Sequence, residues 1–137
     1  MKTRSLIQKV CSLLLVFGLV TLWSGTPILA AMGALDGKAF VGEMGENGKK
    51  SGDKDTLVFN EGKFRSTACD PYGFGGANYS ATVTGDATMF EATTVSPTDG
   101  MMIWKGTVKG GTLEGNATWN KPGKAPVEYW VKAELKK

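Results

Sequence analysis

Apolar and polar side chains alternate along most of the chain. Met102, Trp104, Gly106 and Val108 fall on one side of a segment, with Lys105, Thr107 and Lys109 on the other. The next segment puts Leu113, Gly115, Ala117 and Trp119 against Glu114, Asn116 and Thr118. The last puts Tyr129, Val131, Ala133 and Leu135 against Glu128, Lys132 and Glu134. A period of two is the period of a strand with one buried face. Eight strands are predicted on this reading: 39–44, 56–60, 64 to 68 or 69, 78–84, 88–96, 101–109, 112–120 and 127–135. Turn residues punctuate them, among them Asn60-Glu61-Gly62, Thr84-Gly85-Asp86, Pro97-Thr98-Asp99-Gly100 and Gly110-Gly111.

Most of the links suit hairpins, so consecutive strands pair antiparallel. The predicted fold is all-β: an eight-stranded up-and-down meander closing into a small barrel, which leaves no sheet edge exposed. A two-sheet sandwich or a half-open barrel is the alternative. No segment beyond residue 31 supports a helix of useful length.

The first 31 residues follow a different pattern. Lys2, Arg4 and Lys9 precede an uncharged apolar run from Val10 to Trp23, and Pro27 and the small pair Ala30-Ala31 follow. This is the order of a secretory signal peptide, with cleavage expected after Ala30 or Ala31. The apolar run is shorter than the roughly 18–20 residues needed to span a bilayer as a helix. Residues 32–137 then form a single domain, exported to a bacterial periplasm or medium and carrying no membrane span. Of sixteen basic residues, three leave with the leader, and thirteen basic residues remain against thirteen acidic ones. A neutral domain without a basic stripe is not a nucleic-acid binder. Cys11 also leaves, so Cys69 is the sole remaining cysteine and no internal disulfide is available.

The chain contains no histidine. Ser-His-Asp and Cys-His catalysis, His-ligated zinc and His-ligated haem are therefore excluded. No cofactor, metal or catalytic residue is assigned. Asp53 and Asp55 lie in a polar stretch, Gly45 to Asp55, that lacks the glycine and closing glutamate of a calcium loop and reads as solvated. Met101 and Met102 are adjacent on a strand and point to opposite faces.

Two features carry candidate function. The inward faces mix large rings with very small residues. Either the small residues make room for the rings and the interior is solid, or they leave a pocket that the rings line. The second reading nominates Phe90, Trp104, Trp119 and Tyr129 as ligand-binding. The other feature is the segment Cys69-Asp70-Pro71-Tyr72-Gly73-Phe74-Gly75-Gly76-Ala77. It combines glycines with rings that bury large area at small entropic cost, as interaction loops do. Cys69, Asp70, Tyr72 and Phe74 are its candidate contacts, with both rings expected in solvent.

The hexapeptide Leu35-Asp36-Gly37-Lys38-Ala39-Phe40, leading into an eight-strand meander with inward rings, resembles the opening of the lipocalin-like or calycin group. That resemblance implies a barrel binding a small hydrophobic ligand. At the level of plan the chain also looks like small periplasmic barrels that inhibit lysozymes or proteases. The expected function is a non-enzymatic exported barrel that binds a small apolar ligand or serves the cell envelope. The alternative is a protein-interaction module, such as a periplasmic enzyme inhibitor, working through the loop Cys69 to Ala77.

Overall fold

The computed structural model describes residues 29–30 and 33–137. The signal-peptide reading falls outside the described residues, apart from a two-residue strand, β1 (Leu29–Ala30). Eight further strands follow: β2 (Lys38–Glu46), β3 (Asp53–Asn60), β4 (Lys63–Ser66), β5 (Ala77–Thr84), β6 (Ala87–Ser96), β7 (Gly100–Lys109), β8 (Thr112–Asn120) and β9 (Val127–Leu135). A short 3-10 segment, Thr67–Tyr72, lies between β4 and β5.

Each strand from β2 to β9 pairs antiparallel with the next, and β9 returns to β2 from Phe40↔Leu135 through Glu46↔Tyr129. The meander is therefore a closed eight-stranded barrel. This closure rules out the sandwich and half-open alternatives. The pairing is uneven around the barrel. The β6–β7 ladder runs over ten residue pairs, Ala87↔Lys109 to Ser96↔Gly100, whereas β4 meets β5 only at Lys63↔Asn78 and Phe64↔Ala77. β1 lies on the same side of β5, at Leu29↔Val83 and Ala30↔Thr82.

Two of the boundary differences from the sequence reading bear on the site; the others are of one or two residues. β3 begins at Asp53 rather than Thr56, so the polar loop shrinks and Asp53 and Asp55 fall on a strand. Asp55 shares the inward parity of Leu57 and Phe59 and is only 4% exposed. Its place is not in a solvated loop but inside the wall, as a buried anchor. The following strand stops at Ser66 instead of reaching Ala68 or Cys69. Asp55 draws the chain out of the ladder there, accepting bonds from Ser66 Oγ at 2.6 Å and Ala68 N at 3.0 Å.

One half of the barrel is solid. Phe40, Phe59, Phe64, Tyr79, Phe90 and Trp104 are all buried, with Phe59 as the hub. Its ring centroid lies 4.9 Å from Phe90, 5.1 Å from Tyr79, 5.2 Å from Phe64 and 5.9 Å from Phe40. Phe64 in turn meets Trp104 at 5.0 Å. Tilted and edge-on pairs at these separations add about 0.5–1.5 kcal/mol each to the area they bury. The small residues fit around the rings. A Cβ on Gly106 would lie 2.6 Å from Phe90 Cε1, and one on Gly115 would strike the Lys105 carbonyl. Gly106 thus admits the Phe90 ring, and Gly115, paired with it, lets the β7 and β8 backbones approach closely. The turn Gly33–Gly37 closes this end: Leu35 is buried, its N–H donates to Tyr79 Oη at 3.1 Å, and Tyr79 donates to Asp36 Oδ1 at 2.7 Å. Burial, followed by the hydrogen bond to Asp36, pushes the Tyr79 phenol up to about 12.

Candidate functional site at the barrel mouth

The opposite end carries the links β2–β3, β4–β5, β6–β7 and β8–β9, and it is not filled. A pocket of about 520 Å³ opens there, within the range of small-molecule sites. Met44 at the end of β2, Met102 near the start of β7, Trp119 at the end of β8 and Tyr129 near the start of β9 line its wall. Cys69, Tyr72 and Phe74 close it from the β4–β5 connection, and Asp53 and Asp99 add carboxylate-bearing residues at the rim.

The rim is held by named bonds. The Trp119 indole N–H donates to the Asp99 carbonyl at 2.6 Å, which fixes the ring at the mouth. The Asp99 carboxylate is engaged by Lys121 Nζ at 3.0 Å and accepts from Thr98 Oγ1 at 3.3 Å. Ser96 Oγ, on a residue 4% exposed, donates to the Tyr72 carbonyl at 2.7 Å and accepts from the Asp99 N–H at 3.0 Å. One hydroxyl therefore ties the loop to the β6–β7 turn that holds Trp119. On the other side Asp55 holds the start of the 3-10 segment through Ser66 and Ala68. Gly73 ends that segment at φ +84°, a left-handed turn that glycine adopts without strain, and its N–H donates to the Asp70 carbonyl at 3.0 Å.

The loop also completes the barrel wall. β5 pairs with β6 only up to Tyr79↔Ala92, so the last residues of β6 rise above β5. The connection from Thr67 to Gly76 fills this gap, bonded to β6 through Ser96. Phe74 is its apolar filler, packed with the core and 4% exposed.

The residues nominated from sequence divide between floor and mouth. Trp119 and Tyr129 are brought together at the pocket with Cys69, Tyr72 and Phe74. Phe90 and Trp104 are not. They are 3% and 1% exposed inside the aromatic core, and Trp104 spends its indole N–H on Thr94 Oγ1 at 3.1 Å. Their nomination as pocket lining is corrected: they lie deep in the barrel, both packed on Phe64, with Phe90 also against Gly106. Of the two loop rings expected in solvent, Tyr72 is 62% exposed, whereas Phe74 is buried because it fills the wall. Asp70 points away from the pocket chemistry, pairing with Arg65 Nε at 3.3 Å on the surface.

Cys69 is 5% exposed, and burial pushes its thiol up, with the carboxylates of Asp55 and Asp70 acting in the same direction against a hydrogen bond to Ser66 that lowers it. A thiol held protonated is a poor nucleophile. The Tyr129 phenol is also pushed up, first by burial and then by Glu46. Among the described residues no cluster of three or more acidic or cysteine side chains is arranged to hold a metal.

Sequence reasoning missed Asp55, Ser96, Asp99 and Met44. Parity alone could have found two of them. Asp55 stands two residues before Leu57, and Ser96 continues the series Phe90, Ala92, Thr94 that faces the interior. Compared with protein-family models, with curated proteins and with solved structures, the chain matches none.

Proposed function

We propose that this chain is an exported, non-enzymatic barrel that binds a small apolar ligand at its mouth. The observation that carries the reading is the pocket of about 520 Å³, lined by Met44, Met102, Trp119 and Tyr129 above a solid aromatic floor. Rings and thioethers offer contact area to apolar groups, and the thioethers adapt to irregular shapes. The rim is already ordered by Asp55, Ser96 and Asp99, so little conformational freedom is lost when a ligand enters. Export rests on the leader pattern of the first 31 residues.

The test is a titration with N-phenyl-1-naphthylamine, a neutral dye whose emission rises in apolar surroundings. Saturable one-site enhancement is expected, weakened at least about tenfold in Trp119→Ala, a loss of roughly 1.4 kcal/mol. Trp104→Phe, deep in the floor, should leave the affinity within about twofold once the fold is intact. Absence of enhancement, or equal sensitivity to both substitutions, would sink the proposal. The reading through protein interaction retains one supporting observation, the exposed Tyr72 ring at the rim. It predicts capture of an envelope protein that Tyr72→Ala abolishes.

A further inference from the structure

The charge at the mouth deepens this reading and rests on it. The pocket lining contains four aromatic residues, Tyr72, Phe74, Trp119 and Tyr129, two thioethers, two carboxylates and no lysine or arginine. Asp99 is neutralised by Lys121 at 3.0 Å. Asp53 is not: it makes no ion pair among the described residues, it is exposed, and its parity on β3 turns it toward the opening. The chain as a whole has no such bias beyond its leader, with thirteen acidic and thirteen basic residues. The imbalance is local to the pocket.

Aromatic faces carry negative electrostatic potential and attract a cation that has little hydration to lose. A compact, strongly hydrated ammonium gains little from such a site, whereas a quaternary ammonium carries its charge on methyl groups and suits rings and thioethers together. We propose that the mouth selects an organic cation, a trimethylammonium-type head attached to an apolar group, with the head among Trp119, Tyr129 and Tyr72 and its charge facing Asp53. The held Trp119 indole supplies a fixed face, since its N–H is already engaged by the Asp99 carbonyl. An anionic ligand such as a fatty acid would meet Asp53 and the ring faces with the wrong sign.

The experiment is calorimetric titration of the protein with two probes of the same shape, phenyltrimethylammonium and tert-butylbenzene, at low and at physiological salt. The cation is expected to bind at least about tenfold more tightly. Asp53→Asn should weaken the cation a fewfold at low salt and less at high salt, because an exposed carboxylate is screened, and should weaken the cation more than tert-butylbenzene. Trp119→Phe should narrow the preference between the probes; a far-ultraviolet spectrum and a melting temperature matching the parent show that the variant is folded. Equal affinity for the two probes overturns the cation inference and leaves the apolar-ligand reading standing. Binding of neither probe also overturns it, and the neutral-dye titration then decides whether the mouth binds apolar ligands at all.

Discussion

Asp55→Ala should be among the most damaging single changes to a polar side chain in this domain. The carboxylate is 4% exposed, and accepts from Ser66 Oγ at 2.6 Å and from the Ala68 N–H at 3.0 Å. A third contact, Thr67 Oγ1 at 3.5 Å, is too long to count for much. Hydrogen bonds to a charged acceptor contribute about 1.5–3 kcal/mol each. The variant gains something back, because it no longer buries a charge and water can reach part of the vacated site. A net loss of about 3 kcal/mol is expected, a large share of the roughly 5–15 kcal/mol that holds a domain of this size folded. The melting temperature should fall by on the order of 15 °C. Urea unfolding followed by tryptophan emission measures the loss directly. Asp53→Asn is the internal control: the same strand and the same face, but an exposed carboxylate, so its change should stay within about 0.5 kcal/mol. Because Asp55 holds the segment that carries Cys69 and Tyr72, dye affinity should fall in Asp55→Ala and survive in Asp53→Asn. The reasoning fails if Asp55→Ala costs less than about 1 kcal/mol, or if the two carboxylates prove equally costly to replace.

Gly106→Ala tests the solid floor. The added methyl would sit 2.6 Å from Phe90 Cε1 in a core without slack, and a loss of about 1–3 kcal/mol in urea unfolding is expected; an unchanged midpoint would mean that Phe90 has room to move. Tyr79 should make stability fall at alkaline pH. Its folded-state value is raised to about 12 from an ordinary 10, so its contribution is complete below pH 10 and is lost as pH rises toward 12. Tyr79→Phe should be less stable than the parent at pH 8 and should lose less stability between pH 8 and pH 11.5; equal alkaline losses would refute the role assigned to this phenol.

The strands are legible in the sequence because one face of each is buried and the period is strict. Parity alone assigns Met102, Trp104 and Val108 to the interior, and likewise Leu113, Ala117 and Trp119. Depth along the barrel is less visible. Phe90, Trp104, Trp119 and Tyr129 share an inward parity, yet only the last two lie next to the β8–β9 link at the open end. Counting residues from each turn would have separated them: Trp119 is one residue from the end of β8, whereas Phe90 stands opposite Gly106 in mid-ladder. Asp55 is masked by its own polarity: a carboxylate among Lys54, Asp53 and Ser51 reads as loop, and only its parity with Leu57 and Phe59 points inward, since its partners lie eleven and thirteen residues away. Phe74 is hidden for a similar reason. Its burial depends on a gap between β4 and β6 that exists only once the barrel closes, and closure joins β2 to β9 from opposite ends of the domain.

That gap links the barrel's stability to the shape of its mouth. An eight-stranded barrel with a complete ladder would have no need of the Thr67–Gly76 connection for its wall. Here β4 and β5 share only two residue pairs, and the missing upper part is supplied by a loop without ladder bonds to either strand. Such a loop stays in place only if its polar groups find other partners. Asp55 on β3 and Ser96 on β6 provide them, one on each side of the gap, and Phe74 supplies apolar burial between. The same loop carries Cys69 and Tyr72 into the pocket, so whatever holds the wall also sets the distance between Tyr72 and the rings of Trp119 and Tyr129. Occupying the mouth should therefore stabilise the weak seam, because a ligand touching both the loop and β8–β9 bridges the part of the barrel that has fewest backbone bonds. Hydrogen exchange at Ala68 and Gly73, whose N–H groups are bonded to Asp55 and to the Asp70 carbonyl, should slow on ligand binding more than exchange in the β6–β7 ladder.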